Sequence, residues 1–110
     1  MADAPFLNYI GGAWVPAASG ETFESRNPAD TADVIGACPS SGAEDVARAV
    51  EAATAAFASW RVMPAPKRGE ILKRVGDLMT ERKAEIARAM TREMGKPFFE
   101  TKGDVQEAID

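Results

Sequence analysis

Apolar positions in this chain follow two different rhythms. Up to about residue 40 they come in short clusters separated by turn formers. From residue 41 onward they recur at helical steps. The run Phe6–Val15, FLNYIGGAWV, reads as strand, turn, strand. Leu7, Tyr9 and Ile10 favour a strand, Gly11-Gly12 supplies a tight turn, and Trp14-Val15 restart a strand. Pro16 to Gly20 is a second turn signal. Thr22–Ser25 alternates polar and apolar, as a short strand does. Asn27-Pro28-Ala29-Asp30 is a turn, because the residue before proline avoids the helical region and Asn and Asp bond to nearby backbone. Val34–Cys38 reads as a fourth strand, which Pro39 ends.

The helical part opens at a predicted capping box, Ser41 with Glu44. Val46, Val50, Ala53, Phe57 and Trp60 then advance by 4, 3, 4 and 3, which places them on one stripe of a helix over 43–60. Alanines beside the stripe (Ala47, Ala49, Ala56) allow close approach of another element. Pro64 and Pro66 separate this helix from the next, and Pro66 suits a first helical turn. The second helix carries Ile71, Leu72, Val75, Leu78 and Met79. Its register weakens near residues 81–84 and resumes with Ile86, Met90 and Met94, which predicts a kink or two consecutive helices. Gly95, Lys96 and Pro97 make a stop. A last helix is expected from Pro97, with Phe98, Phe99, Val105 and Ile109 as its apolar positions. The expected class is α+β in this segment: a β-rich region over 1–40, with hairpins, and a helical region of three to four helices over 41–110. Four short strands are too little cover for three apolar stripes, so the chain is expected to be part of a larger fold.

Composition narrows the chemistry. The chain has 110 residues, 45% hydrophobic and 27% charged, which suits one domain or part of one. It has one cysteine, Cys38, and no histidine, so neither an internal disulfide nor histidine base chemistry is available. The net charge of −4 argues against a nucleic-acid partner, although the balance is uneven along the chain. Alternating signs, as in Glu81-Arg82-Lys83 and Lys67-Arg68-Gly69-Glu70, read as solvated helix faces. No apolar run reaches the roughly 18 residues of a membrane span, and the first five residues lack a secretory pattern, so a cytoplasmic location is expected.

No active site emerges from residue chemistry alone. Cys38 lacks a base to activate it and reads as a small, partly buried residue. The carboxylate pairs Glu21/Glu24 and Glu81/Glu85 read as surface charge. Gly11-Gly12 lacks the strand-to-helix setting of a phosphate loop, and Gly95-Lys96 follows a helix where a phosphate loop would precede one. Met79, Met90 and Met94 read as core or interface, and Trp60 as a buried anchor. Lys67, Arg68 and Lys96 read as surface pairing partners.

The order of the segments carries more. NYIGGAWVPAASGETFESRNPAD resembles the opening hairpin and NPA turn of the aldehyde dehydrogenase superfamily. DVARAVEAATAAFASWRVMPAPKRGEILKRVGDLM and TREMGKPFFETKGDVQEAID resemble the segments that follow it there. Thr31-Ala32-Asp33 stands where the family often has glycine and a short turn. The resemblance spans residues 8–110. It implies the N-terminal part of a cofactor-binding domain of the α/β kind, with the catalytic and oligomerisation domains absent from these residues. It implies NAD or NADP as cofactor, a small-molecule aldehyde or semialdehyde substrate, no nucleic acid or membrane partner, and a homo-oligomer for the full-length protein. The implied chemistry is oxidation of the aldehyde to a carboxylic acid through a cysteine thioester, with a glutamate base.

In that family the catalytic cysteine, the glutamate, the oxyanion-hole asparagine and the dinucleotide-binding residues lie downstream. No catalytic or cofactor-binding residue is therefore assigned here, Cys38 is not the nucleophile, and the 110 residues alone are expected to be structural and inactive. Some family members hold a potassium or sodium ion, and the matching positions are Ser25, Arg26 through its backbone oxygen, and Glu93. The departures are the positive side chain of Arg26 and a glutamate where aspartate is more frequent. The other reading of Glu93 is a charge at a helix end. Two alternatives to the main reading stand beside it: a non-catalytic interaction or self-association module, and a CoA-acylating semialdehyde dehydrogenase.

Overall fold

The computed structural model of the chain describes residues 5–110. The expectation that no secretory pattern starts the chain falls mostly on residues 1–4, which lie outside the described residues. The elements run β1 (Asn8–Ile10), β2 (Ala13–Val15), β3 (Thr22–Arg26), β4 (Val34–Pro39), α1 (Ala43–Trp60), α2 (Ala65–Glu81), α3 (Lys83–Met94) and α4 (Phe98–Ile109). The expected α+β segment is present, with two two-stranded sheets, β1-β2 and β3-β4. The change of register at residues 81–84 is a break at Arg82, so two helices form. None of the described helices is long and apolar enough to cross a membrane.

The chain divides into two compact units. The first holds the described residues up to Ser25 together with Val34–Val62, and the second holds Arg26–Asp33 together with Met63–Asp110.

In the first unit β1 and β2 pair antiparallel, Asn8 opposite Val15 and Tyr9 opposite Trp14. Gly11 and Gly12 both take positive φ, 60° and 83°, which a two-residue hairpin turn with the twist of its strands requires. The Tyr9 and Trp14 rings meet across the strands at 4.8 Å between centroids. The hairpin turn lies over the alanine side of α1, where a groove of about 310 Å³ is lined by Gly11, Gly12, Ala49, Ala52, Ala53 and Ala56. The close approach is made at Ala52, where a Cβ on Gly11 would lie 3.8 Å from the Ala52 methyl, while the predicted Ala47, Ala49 and Ala56 stay exposed. The large side chains of the stripe stay bare: Val46, Val50 and Phe57 are each about 60% exposed. Trp60, expected as a buried anchor, is also 38% exposed. It ends the same stripe, and the hairpin turn meets α1 at Ala52 instead.

The second unit is built on the seam between α3 and α4. Ala87 of α3 and Thr101 and Val105 of α4 are its buried centre. Thr101 and Val105 are four apart and so share one helix face. Ala87 has no bulk to hold the helices apart, and the Thr101 hydroxyl donates to the Ala87 carbonyl at 3.1 Å. Ile71, Leu72, Val75 and Leu78 leave a second exposed apolar row on α2.

Candidate functional site

Asp45 organises the polar part of the first unit. After β4 the Ser41 N–H turns back to the Pro39 carbonyl at 3.0 Å, and Gly42 becomes the N-cap of α1 in extended backbone, with φ −112° and ψ −169°. The predicted capping box of Ser41 and Glu44 is therefore displaced by one residue. The Asp45 carboxylate accepts the Gly42 N–H at 2.9 Å, and its other oxygen accepts the Ala18 N–H at 2.9 Å. The shift has a physical reason, since a carboxylate at this position serves the helix start and the loop after β2 at once. The two main-chain donors, Gly42 first and then Ala18, hold the Asp45 carboxyl below the usual carboxylate range. Ser41, freed from capping, accepts a hydrogen bond from the Asn8 amide at 2.8 Å. These groups wall an open cleft of about 240 Å³ with Tyr9 and Val46. Asn8 and Ser41 bond to each other there, and Asp45 is taken up by main-chain N–H groups, so neither the Ser41 hydroxyl nor the Asp45 carboxylate is set up as a nucleophile or base.

The second unit contains the turn that follows β3. The Asn27 side chain accepts the Ala29 N–H at 3.0 Å, and the Asn27 N–H donates to the Asp33 carbonyl at 3.0 Å. The Asp30 N–H donates to Asn27 and the Asp33 N–H to Asp30, so residues 27–33 form two consecutive tight turns. Arg92 of α3 grips the end of this loop. Its Nε and Nη2 donate to the two Asp33 carboxylate oxygens at 3.0 and 2.5 Å, a bidentate pair. Arg92 first, and then the Asn27 amide, hold the Asp33 carboxyl below its ordinary range. The loop also lies against the end of α3. Gly95 caps α3 with φ 73°, and a Cβ there would come within 3.0 Å of Pro28 Cγ. Just beyond, Lys96 donates to Asp104 at 2.6 Å, which raises the Lys96 pKa.

The positions proposed for a cation are placed as follows. Ser25 is half-buried near the end of β3, in the first unit. Arg26 and Glu93 belong to the second unit and both are exposed. The Arg26 guanidinium donates to the Thr31 carbonyl at 2.9 Å, so its charge is engaged by the turn. Among the described residues no three Cys, Asp or Glu side chains are grouped to hold a metal ion. Cys38 is half-buried within β4 and free of any disulfide, as expected of a small packing residue.

Three contacts were not legible in the sequence. Asp33 and Arg92 are 59 positions apart, and nothing local pairs them. Asp45 had a signal, an acid in the first helical turn, but Glu44 beside it carried the same one. Thr101 interrupts an apolar face with a hydroxyl, and that interruption was the available clue.

Comparison with known proteins adds what the geometry lacks. A family model described as "Aldehyde dehydrogenase family" matches residues 14–110. The chain is 45% identical over 106 residues to an alpha-ketoglutarate semialdehyde dehydrogenase of Haloferax volcanii, covering 96% of this chain and 22% of that protein. Among solved structures it is similar to a succinate-semialdehyde dehydrogenase from Burkholderia pseudomallei, with TM-score 0.90 and 40% identity over 98% of this chain and 23% of that one. It is also similar to an NAD-dependent aldehyde dehydrogenase from Sinorhizobium meliloti, with TM-score 0.91 and 32% identity over 97% of this chain and 22% of that one. The chain thus spans about a fifth of the length of the relatives it matches.

Proposed function

Because the chain belongs to the aldehyde dehydrogenase family, we propose that it serves as the opening scaffold of an NAD(P)-dependent semialdehyde dehydrogenase. The substrate class in this reading is an aldehyde that also bears a carboxylate, as the names of the Haloferax and Burkholderia relatives specify for those proteins. The product is the corresponding acid, formed through a cysteine thioester whose sulfur is not that of Cys38. The enzyme is read as cytoplasmic and homo-oligomeric.

The observation that carries the scaffold role is the pair of bare apolar rows. Val46, Val50 and Phe57 on α1, and Ile71, Leu72 and Val75 on α2, are all at least 47% exposed. A self-contained domain buries such side chains, and rows of this kind mark surfaces meant to be covered. The residues present do not themselves fit a dinucleotide. Gly11-Gly12 closes a hairpin and Gly95 ends a helix, so neither offers a strand-to-helix phosphate turn. In this reading the residues of this chain take part in no catalytic step. The role left to them is to present these rows and to hold the 26–33 loop.

The test is a chimera. Residues 1–110 replace the matching segment of the Burkholderia pseudomallei succinate-semialdehyde dehydrogenase, and succinate-semialdehyde-dependent reduction of NAD or NADP is followed. An active chimera supports the reading. A soluble, folded chimera without activity overturns it. The 110-residue chain alone should show no turnover, and measurable turnover would refute the scaffold assignment. In sedimentation of that chain, a discrete dimer would favour a non-catalytic self-association module instead.

The reading includes a potassium or sodium ion taken by oxygen donors of Ser25, Arg26 and Glu93. These are the hydroxyl, carbonyl and carboxylate groups that a hard cation prefers. The thermal midpoint should then be higher in KCl or NaCl than in choline chloride at equal ionic strength, and Glu93→Gln should abolish the difference. Equal midpoints in all three salts would remove the ion from the proposal.

A further inference from the structure

We draw no further inference here: the strongest candidate, the bare apolar stripe of α1 running from Val46 through Val50 and Phe57 to Trp60 beside the groove under the β1-β2 turn, carries nothing because nothing in the structure shows what covers it.

Discussion

Replacing Thr101 by valine tests whether a single hydroxyl holds the α3-α4 seam. Thr101 is fully buried, and its oxygen meets the Thr91 hydroxyl at 2.8 Å, the Phe98 carbonyl at 3.0 Å and the Ala87 carbonyl at 3.1 Å. One hydroxyl has one proton, so it donates to a carbonyl while accepting from Thr91, or donates to Thr91 instead. Valine keeps the shape and removes the oxygen. The two carbonyls lie within helices and keep their helical partners, so the loss falls on the bond across the seam and on the stranded Thr91 hydroxyl. Thr91 is half-buried, so leaving its hydroxyl short of this partner costs toward the lower end of about 1–3 kcal/mol. Thr101→Ser keeps the oxygen and removes one methyl, at about 0.8 kcal/mol of transfer energy. Urea unfolding followed by helical circular dichroism on both variants separates the two effects. The valine variant should be the less stable, and its melting temperature should fall by roughly 4–8 °C for each kcal/mol lost. A valine variant as stable as the parent chain would refute the assignment, because the seam would then rest on packing alone.

Three further outcomes follow from the same contacts. Gly95→Ala should destabilise the chain by about 1–2 kcal/mol, because a side chain disfavours left-handed backbone and the new methyl would press on Pro28; chemical denaturation measures it, and an unchanged midpoint would contradict the reading. Asp45 and Asp33 are both held below the ordinary carboxylate range, so their contribution is present above that range and is lost as pH falls through the lowered folded values. Stability should decline on acidification below about pH 4, and Asp45→Asn should flatten that decline in a pH series of thermal melts; an unaltered slope would count against the carboxylate. Val50→Lys, on the bare stripe, should shift stability by no more than about 0.5 kcal/mol while improving solubility and reducing binding of a hydrophobic dye; a loss of several kcal/mol would mean that the stripe is covered within this chain.

What could be read from the sequence was what neighbouring residues decide among themselves. Gly11-Gly12 sets its own turn, Pro64 and Pro97 set where α2 and α4 begin, and the 4-3-4-3 spacing sets the span of α1. The capping box went to Gly42 and Asp45 because the deciding group, the Ala18 N–H, lies 27 positions away. The Arg92-Asp33 clamp was invisible for the same reason. Trp60 shows the limit in its sharpest form. Its stripe reads as apolar from the spacing alone, yet periodicity specifies only that a face avoids water, never what covers it. In this chain the hairpin turn meets α1 at Ala52, where backbone can come close, and leaves the bulky residues bare. An apolar stripe is therefore a statement about a face and not about the element that meets it. The scaffold and the chemistry proposed for it consequently rest on different supports: bare rows on α1 and α2 for the first, and the match over residues 14–110 for the second. Inactivity of a folded chimera would overturn the dehydrogenase-scaffold reading while leaving the packing of these helices as it stands.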